Sequence, residues 1–213
     1  MSQPISRRTF LKTSAITAAA GGIVLCGGGA FAATYRPPID LPTTSYGENT
    51  MTNQHILIAY ASKAGSTAEV AQRIGKVLAD AGQRVDVQPV TEVKDLSAYS
   101  AVVLGSAIRA GHLLPKAMQF IETHRQELAQ KPFSAFIVCL TLKDDTPENR
   151  KTVSAYLDPL RAMLPPAHEG MFAGVMDSSK LNFLERTLMK MMKAPSGDFR
   201  RWDEIERWAA ALA

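Results

Sequence analysis

From Gln54 onward the chain alternates between short, almost continuous apolar runs and longer stretches in which apolar residues recur every three to four positions. His55–Ala61 (HILIAYA) is a run of the first kind, the pattern of a strand buried on both faces of a parallel sheet. Val70, Ile74, Val77 and Leu78 then recur at helical spacing, and Gly82 closes that helix. Arg84–Val90 alternates as a strand, and Ala101–Ala107 (AVVLGSA) is a second buried run, followed by a helix from Pro115 to about Gln130. Phe133–Thr141 (FSAFIVCLT) reads as a fourth strand, Pro147–Met163 as a helix with proline at its start, and Met171–Met176 as a fifth strand. Helical stretches at Leu181–Lys193 and Trp202–Leu212 follow. Five strands separated by helices specify an α/β fold, a doubly wound parallel sheet flanked by helices. Ligands of such sheets sit at the carboxyl ends of the strands.

Residues 1–53 lack this pattern. Ser6-Arg7-Arg8-Thr9-Phe10-Leu11-Lys12 is polar and basic, Ala15 to Leu25 is small and apolar, and Ala30-Phe31-Ala32 is small-x-small. That order makes a secretory signal, and the paired arginines before Phe10-Leu11-Lys12 resemble the twin-arginine consensus, a receptor-read address for export. Residues 1–32 are expected to be a cleaved signal, the alternative being a helix that stays attached as an anchor. Ile23-Val24-Leu25 lacks the small residue a lipidated Cys26 would need before it. Residues 33–53, rich in Pro, Thr and Ser, read as a linker, and 54–213 as the domain. Export places the domain in the periplasm or on the extracytoplasmic side of a membrane; a start at Met51 would instead give a cytoplasmic form.

Composition sharpens this. The 213 residues carry 24 Lys plus Arg against 20 Asp plus Glu, 46% hydrophobic and 21% charged, which excludes intrinsic disorder. Two cysteines exclude a disulfide scaffold or a multi-cysteine metal framework, and no metal site is expected. The net charge of +4 would suggest nucleic acid, but Arg7, Arg8 and Lys12 lie in the signal, which holds no acid. Without them 21 basic residues face 20 acidic ones, a net charge of +1, and no nucleic-acid partner is expected.

The first strand ends in Ser62-Lys63-Ala64-Gly65-Ser66-Thr67 and runs straight into a helix. Hydroxyls around a glycine let backbone N–H groups and side chains converge on one anion, with the helix dipole behind them. A plain helix cap by Ser62 or Ser66 is the simpler reading, though a cap needs one hydroxyl and three are present. The spacing is neither G-x-G-x-x-G nor G-x-x-x-x-G-K-[ST], which disfavours a dinucleotide or a nucleoside triphosphate.

Ile58-x-Tyr60-x-Ser62-x-x-Gly65-x-Thr67, followed by Ala71 and Ile74, resembles the flavodoxin signature for the phosphate of FMN, with Ala59 where a larger apolar residue is usual. The resemblance covers about 54–213. It implies a flavodoxin-like five-stranded parallel sheet in the order 2-1-3-4-5 and an FMN whose phosphate is held by Ser62, Lys63, Ala64, Gly65, Ser66 and Thr67. It further implies two loops around the flavin ring: Ser106, Ala107, Ile108, Arg109, Gly111 and His112 after the third strand, and Thr141, Leu142 and Lys143 after the fourth. The string Gly105-Ser106-Ala107-Ile108-Arg109-Ala110-Gly111-His112 is similar to the loop of menaquinone-dependent protoporphyrinogen dehydrogenases, as are Ala173-Gly174, Met189-Lys190-Met191 and Trp202-Asp203. No catalytic acid or base is assigned. Arg109 and His112 are candidate flavin tuners, with surface residues as the alternative for both.

The resemblance implies an FMN-dependent oxidoreductase passing electrons between a reduced, protoporphyrinogen-like organic donor and a quinone. A non-catalytic carrier that docks a protein partner is the alternative, and a binding module without flavin is a third. Cys139 sits inside a strand pattern and is expected to be a buried structural thiol. Leu181–Lys193 is apolar on a broad face and rimmed by Lys180, Arg186, Lys190 and Lys193, so it reads either as a packed helix or as a peripheral membrane contact.

Overall fold

A computed structural model of the chain describes residues 39, 41–48, 54–177, 179, 183–191 and 196–213; the signal stretch 1–32 and Met51 lie outside them. Its strands are β1 (Thr44–Tyr46), β2 (His55–Ala61), β3 (Arg84–Pro89), β4 (Ala101–Arg109), β5 (His112–Leu113), β6 (Phe133–Val138), β7 (Glu169–Phe172), β8 (Val175–Met176) and β9 (Gly197–Asp198). The helices are α1 (Ser66–Asp80), α2 (Pro115–Leu128), α3 (Pro147–Ala155), α4 (Asp158–Met163), α5 (Phe183–Met191) and α6 (Trp202–Ala210).

Side-chain alternation along β2 divides the core. Leu57, Ala59 and Ala61 bury on one face of the sheet beneath Leu114, Ala117, Phe120 and Ile121 around α2 and Leu160 of α4. Ile56, Ile58 and Tyr60 bury on the other, beneath Ala68, Ala71, Ile74 and Leu78 of α1 and Ile205 and Ala209 of α6. A strand covered on both sides has no polar alternation, which is why HILIAYA is apolar throughout. The sheet runs β1-β3-β2-β4-β6-β7. β3, β2, β4, β6 and β7 pair in parallel, so the five parallel strands stand in the order 2-1-3-4-5.

Several elements differ from the sequence pattern. Thr44–Tyr46, inside the stretch read as a linker, is an antiparallel edge strand on β3, with Thr44 opposite Val87 and Tyr46 opposite Val85. Side chains fix its place: Ser45 donates to Asp86 at 2.6 Å, Thr43 to Glu92 at 2.5 Å, and the Tyr60 hydroxyl to the carbonyl of Pro42 at 2.8 Å. The helix expected over 147–163 is two helices broken at Tyr156-Leu157, because Pro159 in the first turn of α4 cannot donate to a preceding turn. The fourth strand stops at Val138 and Leu140–Lys143 is a short 3₁₀ turn. The expected fifth strand, 171–176, divides into β7 and a β8 that leaves the sheet to pair with β9.

Residues 39–177 and 195–213 form the α/β unit, and 178–194 belong with 1–38 to a second unit. Of the helix expected over Leu181–Lys193, the structure describes Phe183–Met191.

Candidate functional site

Parallel pairing brings the loops after β2, β4, β6 and β7 to one end of the sheet. Ala61 pairs with Ser106, and Ser106 with Ile137, so the three central strand ends lie side by side at the ordinary interstrand spacing of about 5 Å.

The loop after β2 is folded around a gap in hydrogen bonding. Ser62 Oγ accepts from the N–H of Gly65 at 3.0 Å, which closes the turn and spends that hydroxyl locally. Gly65 takes φ 90°, a left-handed conformation that suits glycine, and α1 begins behind it with no side-chain cap. The simple capping reading of Ser62 and Ser66 therefore does not hold. The first-turn N–H groups of a helix have no partners within it, and the N-cap residue here, Gly65, has no side chain to supply one. Thr67 is fully buried, and its Oγ1 has no hydrogen-bond partner within the protein. A buried hydroxyl without a partner at a helix N-terminus can serve an external acceptor. Gly174 adjoins this loop: a Cβ there would stand 2.9 Å from Val138 Cγ1 and 3.7 Å from Ser66 Oγ. Lys63 is exposed, Ala64 half-buried and Gly65 buried.

Charge near this loop is balanced from a distance in the sequence. Glu69, in the first turn of α1, is paired with Arg200 at 2.5 Å. Arg200 also binds Asp198 at 2.6 Å, and its guanidinium lies 4.4 Å above the Trp202 ring. Burial alone would lower the Arg200 pKa, but hydrogen bonds to Asp198 and Glu69 hold it above the ordinary arginine value. The one acid in the helix's first turn is thereby countered.

The loop after β4 is a β-hairpin. β4 runs on to Arg109, turns at Ala110 (φ 48°) and Gly111 (φ 80°), and returns as β5. Positive φ at both central residues is the geometry of a type I′ turn. Arg109 stands directly opposite His112, and Ile108 opposite Leu113. Opposite residues in an antiparallel pair project to the same face, so half-buried Arg109 and exposed His112 share one face of the hairpin, and Ile108 and buried Leu113, which pack on the core, share the other. Ser106 is absorbed by the scaffold: it is buried, its hydroxyl donates to the carbonyl of Ala107 at 2.9 Å, and it accepts from the N–H of Leu114 at 3.1 Å.

In the loop after β6, Thr141 and Lys143 are half-buried, and Lys143 pairs with Asp144. Leu142 turns its side chain wholly into the core. Its N–H donates to the carbonyl of Cys139, and its own carbonyl accepts from Arg201 at 3.2 Å. Cys139 is a buried free thiol.

Three residues around the site carry no sequence signal. Arg201 ties the 3₁₀ turn to α6 by pairing with Glu204 at 2.8 Å and Asp145 at 3.3 Å. Arg200 counters Glu69. Tyr156, at the α3–α4 break, lies against the hairpin turn, its ring 3.3 Å from where a Cβ on Gly111 would be. Each acts across more than forty residues of chain, beyond the reach of local pattern.

The chain matches the flavodoxin domain over residues 57–202 and belongs to that family, whose membership implies a bound flavin. Residues 4–23 match a twin-arginine translocation signal sequence, which supports export by that route. Among similar proteins are the protoporphyrinogen IX dehydrogenase [quinone] of Leishmania major, 28% identical over 74% of each chain, and that of Escherichia coli K12, 23% identical over 74% of this chain and 93% of the other. Solved flavodoxins also align, including one from the domain Archaea (TM-score 0.47, 17% identity, 75% of this chain and 96% of that one) and one from Streptococcus pneumoniae TIGR4 (TM-score 0.46, 20% identity, 74% and 98%).

Proposed function

We propose that the protein is an exported FMN-dependent oxidoreductase that moves electrons from a reduced organic donor to a quinone. The observation that carries the cofactor reading is the partnerless Thr67 hydroxyl at the uncapped start of α1, which fits a phosphate monoester. Ser66, Thr67 and the first-turn N–H groups would hold that phosphate, while Ser62 and Gly65 shape the loop and Lys63 adds charge. Arg109 and His112, together on one face of the hairpin, would flank the flavin ring, and Thr141 would border it from the next loop. When bound, the flavin supplies two-electron redox chemistry, accepting from the donor and giving to the quinone. The chain's own part is to fix the cofactor and set its potential: a cation beside the ring favours the electron-rich reduced state and raises the potential.

The quinone acceptor and a protoporphyrinogen-like donor are drawn from the named activities of the Leishmania and Escherichia coli relatives. The test is anaerobic: FMN-loaded protein is mixed with protoporphyrinogen IX and a soluble naphthoquinone. Donor-dependent loss of the quinone absorbance is expected. A protein that binds FMN but shows no catalytic turnover with either reagent would instead be a carrier.

A further inference from the structure

We infer that α5 is a docking surface for an anionic lipid membrane. On this nine-residue helix Phe183, Leu184, Leu188 and Met191 are 64%, 57%, 52% and 77% exposed. At 100° per residue they fall within one arc of about 140°, so the exposure forms a single stripe rather than scattered positions. Large apolar side chains gathered this way mark an interaction surface.

Charge selects the occupant. The stretch 180–193 carries Lys180, Arg186, Lys190 and Lys193 against a single acid, Glu185, a net charge of +3 on a mature chain whose total is +1. Arg186 falls beside the apolar arc on the helical wheel, and the three lysines lie within three residues of a helix end along the sequence. An apolar stripe with a basic flank is the pattern of a helix lying in the plane of a membrane, apolar side in the acyl boundary and cations at anionic headgroups. A second copy of the helix would bring two +3 stretches together, which disfavours self-association. Among the described residues no helix is long and apolar enough to cross a membrane, and α5 spans only about 14 Å, so the contact is interfacial.

The test reads α5 directly, so that anchoring by the N-terminal segment cannot imitate it. In full-length protein carrying Cys26→Ser, a nitrobenzoxadiazole label is placed through Met191→Cys, or through Gln130→Cys as a control on the α/β unit. Vesicles of phosphatidylcholine alone or with 30% phosphatidylglycerol are added. A blue shift and at least twofold brightening at 191, with anionic vesicles only and not at 130, is the expected result, and Leu184→Ser with Leu188→Ser should abolish it. No change at 191, an equal change on neutral vesicles, or a change that follows protein concentration without vesicles would overturn the inference.

Discussion

At the scale of single residues, Thr67 and the pair Ala110-Gly111 do different kinds of work. The Thr67 hydroxyl gives the fold nothing in return for its burial, so removing it should not harm folding. Thr67→Val is expected to leave the unfolding transition unchanged or slightly raised while weakening FMN binding about tenfold, in line with one lost hydrogen bond to a charged group of ~1.5 kcal/mol. A thermal melt paired with flavin fluorescence titration separates the two effects. The turn residues act on geometry instead. Gly111→Ala forces an alanine to φ 80° against Tyr156 and should cost about 1–2 kcal/mol. Ala110→Asn, which suits positive φ in a type I′ turn, should be neutral or stabilising. Urea denaturation of both variants checks this, and equal losses would show that the turn is not what holds the hairpin. Arg109→Gln, in the FMN-loaded protein, is expected to lower the flavin potential by about 20–40 mV, the loss of roughly 1–2 kcal/mol of charge interaction over two electrons. Arg109→Lys should keep most of it, as potentiometric titration would show.

At the scale of elements, the edge strand β1 is the part least expected from the chain and the most dependent on specific polar contacts. Asp86 is its anchor, receiving Ser45 at 2.6 Å, Tyr99 at 3.0 Å and His55 at 2.9 Å. Burial works to raise the Asp86 pKa, but those hydrogen bonds prevail and hold it below the ordinary aspartate value. Tyr99, desolvated and bound to the carboxylate, is pushed up to about 12. A depressed carboxylate pKa contributes stability that is present above the unfolded value near pH 4 and lost as pH falls through the folded value. Asp86→Asn should therefore be less stable than the parent at pH 7, with the gap narrowing below pH 4. Denaturation across pH 3 to 7 would reveal a gap that stays constant if the account of Asp86 is wrong.

What could be read in advance follows the same physics. The five parallel strands were legible because burial on both faces leaves unbroken apolar runs, and α1 because its apolar residues keep a helical period. Three-residue β1 is too short to show any period, and its pairing depends on Asp86 and Glu92 some forty residues away. The α3–α4 break was signalled by Pro159, which the continuous apolar spacing around it masks. Within the site, the Ser62–Thr67 loop was visible as a motif. That Ser106 and Leu142 serve the scaffold, and that Thr67 alone among the hydroxyls there is buried without a partner, depends on three-dimensional neighbours that no spacing encodes.

At the scale of the whole molecule, the chain's basic character resolves into separate tasks. Arg7 and Arg8 belong to the export signal, Lys63, Arg109 and Arg200 lie around the strand ends, and 180–193 carries its own local excess. Arg7→Lys with Arg8→Lys changes no charge yet should retain the protein in the cytoplasm, because the address is read by a receptor rather than by a field. Fractionation would show it, and unchanged export would contradict the signal's assignment. We propose that one end of this sheet holds FMN by its phosphate. Isothermal titration of the apoprotein with FMN, repeated with riboflavin, tests it most directly. Saturation at one FMN per chain is expected, with riboflavin bound at least a hundredfold more weakly. Equal affinity for the two, or no heat with either, would contradict it.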